Sequence, residues 1–181
     1  GNESMFGNVD GWYNVAVGHQ SLYYNVSGQG NTAVGVEALS SVSGNYNIGV
    51  GFETFGTSTA TSTSDYNVAI GYQSMFDNTT GGGNIALGNQ SLRANTTGAS
   101  NAAVGQFALL ANTTGFSNSA FGDSALFANT EGFSNSALGV NALSGNITGS
   151  YGAALGYNAG VSQTAGNNNI FLGYNTAVAS T

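Results

Sequence analysis

Few side chains in this sequence have the chemistry to act on a ligand. His19 is the only histidine, Arg93 the only lysine or arginine, and cysteine is absent. Catalysis by a nucleophile needs a base within reach and a third group to orient it. His19 has no such company and occupies a position held by Val36, Phe52 and Tyr72 elsewhere, so it is read as structural and the chain as no enzyme. Glu37 and Glu53 fall at equivalent positions, where stacked carboxylates could hold a cation. Gln20, Gln73, Gln90 and Asn141 share that position, which favours a solvated polar ladder. The GGxGxD nonapeptide of calcium-binding rolls is missing. Phosphate-cradling glycine loops require a strand followed by a helix, and no helical pattern follows these glycines. Neither a metal nor a cofactor is expected.

Aromatic residues are the strongest lead. Trp12, Tyr13, Tyr23, Tyr24 and Tyr46 crowd the early part of the chain. Rings of this kind stack on the apolar faces of sugars while their polar atoms hydrogen-bond the hydroxyls. These five form the candidate ligand-binding set. The same residues also suit a different role, a plug of large side chains over the open end of a stacked fold. A third pattern is the series Thr79, Thr96, Thr113 and Thr130, since regular threonine arrays on flat scaffolds suit ice binding. Glu131 directly after Thr130 and the glycine-bounded turns around all four speak against it.

The spacing of these residues reports the scaffold that must hold them. A phrase Asn-x-small-aliphatic-Gly recurs as NVAVG (14–18), NTAVG (31–35), NIGVG (47–51), NVAIG (67–71) and NIALG (84–88). It continues as NAAVG (101–105), NSAFG (118–122), NSALG (135–139), a degenerate GAALG (152–156) and NIFLG (169–173). The period is 17 residues, with one step of 16 and one of 20, and Gly1 lies 17 before Gly18. After each glycine comes a small residue with an apolar one (QSL, EAL, QSM, SAL), then a turn phrase such as NTTG (78–81, 95–98, 112–115). Each unit is therefore expected to hold two short strands and two glycine-marked turns. Seventeen residues fit one coil of a β-solenoid, rising about 4.8 Å per coil. About eleven coils predict a rod on the order of 50 Å long. The longer step carries GTSTATSTSD (56–65), expected to form a surface bulge, and 152–181 holds degenerate terminal coils of what is otherwise one repeat domain, 1–181.

Stacked coils explain the composition. Only 5% of residues are charged, and a charge repeated in every coil would face its like about 5 Å away. Identical residues one period apart should instead bond or stack: Asn78, Asn95, Asn112 and Asn129 in one column, Phe116 against Phe133 in another. The net charge of −7 excludes nucleic acid and anionic membrane surfaces as partners. No run of about 20 apolar residues exists to cross a bilayer. The chain does not begin with Met and shows no signal peptide, and it is read as a segment of a longer protein.

Within the strand phrase, the small residue (Ala16, Ala33, Ala69) and the aliphatic one after it (Val17, Val34, Ile70) must point to opposite faces. A strand apolar on both faces is normally buried on both. One coil covers only one side, so association of identical chains about the rod axis is expected.

The phrases NVAVG, NTAVG, NVAIG and NSALG resemble the repeats of trimeric autotransporter adhesin heads of the YadA kind. The longer stretches NTAVGVEAL and NVAIGYQSMFDNTTGGGNIALG resemble repeats of bacteriophage tail fibres and fibre-like bacterial surface adhesins even more. The resemblance spans essentially the whole chain. It implies a left-handed parallel β-roll, a homotrimer, and adhesion or host recognition at a bacterial cell surface or virion fibre. The 17-residue period departs from the shorter usual head repeat. The resulting expectation is an extracellular adhesin head or tail-fibre domain that binds surface glycans multivalently. A passive fibre spacer is the alternative, and ice binding a more distant one.

Overall fold

A computed structural model describes residues 1–56 and 62–177. Ten three-residue strands follow one another: β1 (Val15–Val17), β2 (Thr32–Val34), β3 (Ile48–Val50), β4 (Val68–Ile70) and β5 (Ile85–Leu87), then β6 (Ala102–Val104), β7 (Ser119–Phe121), β8 (Ser136–Leu138), β9 (Ala153–Leu155) and β10 (Ile170–Leu172). They form one parallel sheet in chain order, each strand paired only with its sequence neighbours. Equivalent residues face each other throughout, from Ala16↔Ala33 to Phe171↔Ala154. The fold is a β-solenoid, with one strand per coil and nine coil-to-coil steps. Register survives both irregular steps: Val34 still meets Val50, and Val50 meets Ile70. Of the expected bulge, 57–61 lies outside the described residues, and Ser62 rejoins the stack in a parallel bridge to Val42.

The second half of each coil differs from the strand expected there. After Gly35, hydrogen bonds link Ala38 N–H to Gly35 O, Ser40 N–H to Glu37 O and Val42 N–H to Leu39 O. Glu37 and Leu39 take φ of 55° and 51°. Successive i→i+3 turns with positive φ at their third residue follow the type II pattern, which normally calls for glycine there. Alternate N–H groups also point opposite ways along the rod: Glu37 donates back to His19 O, Leu39 forward to Thr54 O. A left-handed residue at every second position is incompatible with a pleated strand. Leucine in that conformation costs about 1–2 kcal/mol. Complete burial of Leu22, Leu39, Leu92, Leu109, Leu126 and Leu143, at about 1.5–3 kcal/mol each, offsets it.

The core is correspondingly thin. The leucine column, with Phe55 and Met75 at two rungs, packs against the middle residue of each strand, alanine in all but β3 (Gly49) and β10 (Phe171). In the last full coil both sizes change together: Gly160 takes the leucine position and Phe171 the alanine position. A Cβ at Gly160 would lie 2.6 Å from the Phe171 ring, so the ring fills what the missing leucine leaves. This compensation accounts for part of the degeneracy of the terminal units.

Two buried asparagine columns flank the Gly turn. In one, Asn95 Nδ2 donates to Asn78 Oδ1 (2.6 Å), Asn112 to Asn95 (2.8 Å) and Asn129 to Asn112 (2.9 Å). In the other, Asn101, Asn118 and Asn135 each receive the next coil's backbone N–H or pass their own to the coil before, at 2.9–3.0 Å. Both columns send an amide N–H to the same carbonyl, as Asn84 and Asn95 do to Gly98 O at 2.9 Å. Buried turns thus keep their polar backbone satisfied without water. Where Val42 interrupts the first column, Asn25 Oδ1 is left without a partner.

The outer residues of the strands point away from this core. Val15, Val17, Val34, Ile48, Ile70, Ile85, Phe121, Leu138 and Leu155 are all exposed on the single chain, Val17 by 56% and Leu138 by 53%. At the β7–β10 end they line a shallow apolar groove. Three residues by ten strands make a face of about 10 Å by 43 Å, on the order of 400 Å². That matches the largest apolar patch of a typical monomer, about 300–600 Å², which is often functional.

Candidate functional site

The five sequence-selected aromatics separate onto different edges of the rod. Tyr13 and Tyr46 share a column at the residue before the strand asparagine, with φ of 59° and 56°. Gly30 intervenes between them, and Tyr46 stacks on Tyr66 at 5.4 Å and 12°. Trp12 lies beside that column, and its carbonyl accepts from Gly30 N–H. Trp12, Tyr13 and Tyr46 are all more than half exposed. Tyr23 and Tyr24 sit elsewhere, five and six residues beyond the motif glycine, with their rings edge-to-face at 4.5 Å.

Tyr23 and Tyr24 border a cavity. It holds about 320 Å³ and is lined by Gln20, Tyr23, Tyr24, Glu37, Ser40, Ser41, Glu53, Gly56 and Phe76. Its origin lies in one column of the repeat. Five residues past successive motif glycines stand Phe6, Tyr23, Ser40, Gly56, Phe76 and Arg93, counting Gly1 as the first. Phe6 and Tyr23 stack at 5.3 Å and 8°. The Arg93 guanidinium lies over the Phe76 ring at 5.4 Å. Between these two pairs the rungs among the described residues are Ser40 and Gly56. Three coil steps separate Tyr23 from Phe76, about 14 Å, leaving room for two missing rungs. The cavity is a notch between Tyr23 and Phe76, with Tyr24 at its rim. Phe76 was absent from the sequence-selected set. Its signal is the shared offset of five from the motif glycine, with two small residues between two aromatic ones.

Carboxylates edge the notch. Glu37 and Glu53 occupy the column two residues past the glycine, and Glu53 accepts from Gln73 Nε2 at 2.6 Å. Gln20 spends its own Nε2 on Glu3 at 2.7 Å. Among the described residues, no lysine, arginine or histidine borders the cavity. Arg93, on the far side of Phe76, pairs with Asp77 at 3.8 Å.

The remaining candidates are placed as follows. The His19 ring nitrogen Nδ1 lies 3.2 Å from Asn2 O on the exposed side of the first coils. Among the described residues, no three His, Cys, Asp or Glu side chains converge in a metal-sized cluster. In the threonine column, Thr79, Thr96 and Thr113 each donate their hydroxyl to the next coil's carbonyl at 2.9–3.1 Å. These hydroxyls brace the turn stack, and their protons are not available to an ice surface. No helix among the described residues is long and apolar enough to cross a membrane. Compared with protein-family models, with curated proteins and with solved structures, the chain matches none.

Proposed function

We propose that this chain is an extracellular fibre segment, an adhesin head or tail-fibre domain, that binds surface glycans at the notch between Tyr23 and Phe76. The observation that carries this reading is the gap that Ser40 and Gly56 leave between the Phe6–Tyr23 stack and Phe76, which carries the Arg93 guanidinium on its far side. A pyranose ring is about as thick as an aromatic ring's stacking layer and carries an apolar face that such walls accept. Hydroxyls and carboxylates along the rim are suited to fix its orientation. A glycan array probed with the full chain tests this. Binding to a hit is expected to fall at least tenfold in Tyr24→Ala and in Phe76→Ala and to be unchanged in Tyr13→Ala. Equal loss in all three, or none, removes the notch from the site.

In this reading the apolar sheet face is turned inward in a homotrimer, as a left-handed roll of about eleven coils packed around the fibre axis. Exposed Val34, Ile70 and Leu138 support it, because their column is continuous from β1 to β10. Light scattering is expected to give three times the 18.1 kDa chain mass. Leu138→Asp combined with Val104→Asp is expected to yield monomers, since each charge would be desolvated and stacked against its symmetry copies. A monomeric wild-type mass ends the proposal of association. Three weak sites on one rigid rod would then gain avidity without new contacts.

A passive spacer is the second reading, favoured by the regularity of 84–149, where asparagine, leucine and glycine columns run unbroken. It expects no array hit at all, and unchanged behaviour of the fibre when one 17-residue unit such as 106–122 is removed.

A further inference from the structure

Taking the notch as a sugar site, we infer that it selects an amino sugar whose nitrogen is a free ammonium. The inference rests on the glycan reading above and adds the charge of the ligand. Among the described residues that line the notch, the charged side chains are Glu37 and Glu53. One amide N–H of Gln20 is engaged with Glu3, and the rest of the polar rim is formed by the carboxylates of Glu37 and Glu53 and by hydroxyls that can act as either donor or acceptor. Acidic sugars would meet two like charges with no basic group to receive them. A protonated amine would meet two carboxylates and, on either side, the electron-rich faces of Tyr23 and Phe76. The stack already seats one cation in this manner, the Arg93 guanidinium over Phe76, with its charge balanced by Asp77. A primary ammonium fits better than a quaternary one, because the rim offers hydrogen-bond acceptors that only an N–H group can use.

The test compares two probes that differ only in acetylation, chitotetraose and its fully deacetylated glucosamine tetramer, titrated calorimetrically into the full chain. The glucosamine tetramer is expected to bind at least tenfold more tightly, with an advantage that shrinks as salt is raised. In the Glu37→Gln/Glu53→Gln variant that advantage should fall to about twofold or less. Glutamine already stands at this column position in Gln20, Gln73 and Gln90, so the coil accommodates it, and an unchanged melting curve verifies this. Equal binding of both tetramers, with loss in Tyr24→Ala and in Phe76→Ala, overturns the charge selection and leaves the sugar platform standing. An ammonium preference that survives in the double glutamine variant also overturns it, tracing the effect to the overall charge of −7. If neither tetramer binds and no glycan on the array does, the platform and its selectivity fall together.

Discussion

Gly122→Ala is expected to destabilise the rod by more than about 4 kcal/mol, placing it in the exceptional tail of single substitutions. Gly122 takes φ of 140°, a region outside the left-handed helical well and essentially closed to side-chain-bearing residues. The conformation alone costs about 1–3 kcal/mol for alanine. Space is the larger obstacle. A Cβ on Gly122 would come within 2.5 Å of Gly139 O and 2.6 Å of Gly139 C in the next coil. Both atoms belong to backbone held in the stack, so neither can rotate aside. Relief requires the two coils to part, and parting breaks the bond from Gly139 N–H to Phe121 O (2.8 Å). Every motif glycine faces the next one in this manner, so the stack has no slack to share. Gly83→Ser supplies the contrast. Gly83 also has positive φ, at 68°, but the nearest atom to an added Cβ is Ser100 Oγ at 3.8 Å. Ser100, Ser117 and Ser134 occupy that position with φ of 55–58°. Chemical denaturation should find Gly83→Ser within about 0.5 kcal/mol of the parent. Equal midpoints for Gly122→Ala and the parent would show that coil spacing is not set at the glycine.

How far the sequence could be read depended on whether a feature repeats. A period of 17 with asparagine and glycine fixed in phase leaves only a stacked solution, and Phe116 on Phe133 follows from it, at 4.8 Å and 4°. The inward alanine and outward aliphatic residues of each strand follow from the alternation of any strand. The turn run could not be read by the same rule. Ser21 and Leu22, or Ala125 and Leu126, are adjacent and both fully buried, which a strand covered on one face only does not allow. That adjacency was the available sign, and a backbone alternating in the sign of φ is its physical solution. Locally, leucine and glutamate both disfavour positive φ. Burial of one and cross-coil hydrogen bonds of the other override that preference.

The site was legible only in part for a related reason. A cavity in a solenoid is made by residues that are small, so composition draws attention to the wrong positions. Tyr23 and Tyr24 stood out as aromatic, whereas Ser40 and Gly56, which open the notch, carry no chemical signal by themselves. Phe76 acquires meaning only when the 20-residue step is aligned in register, because its distance from Tyr23 is 53 residues along the chain and three coils along the rod. Trp12, Tyr13 and Tyr46 were grouped with Tyr23 by sequence proximity, although the coil carries them to another edge.

The second large effect is expected at Asn118, where leucine is a near-isosteric replacement without the amide. Asn118 Nδ2 donates to Gly132 O (2.8 Å) and Asn101 Oδ1 (3.2 Å), while its Oδ1 accepts the Asn135 N–H (3.0 Å) and Nδ2 (3.1 Å). All of these groups are buried, so water cannot replace the lost partners. Gly132 O keeps its bond from Asn129, and Asn135 Nδ2 keeps Gly149 O. The Asn135 N–H keeps nothing. An orphaned buried donor costs about 1–3 kcal/mol, and the hydrogen bonds lost around it about 1 kcal/mol each. Asn118→Leu should therefore cost about 3–4 kcal/mol, with the gain from a larger apolar side chain cancelled by crowding in a polar column. The effect should also be local along the rod. Amide exchange is expected to accelerate in coils bearing Asn101 and Asn135 and to leave Asn31 and Asn47 as slow as before, because each coil contacts only its neighbours. Ser136→Ala, on the outward side of β8, provides the matched control and should stay within about 0.5 kcal/mol. Uniform acceleration along the whole chain would mean that the coils unfold as a single unit. A change no larger than that of Ser136→Ala would mean that the asparagine column follows the stack rather than holding it.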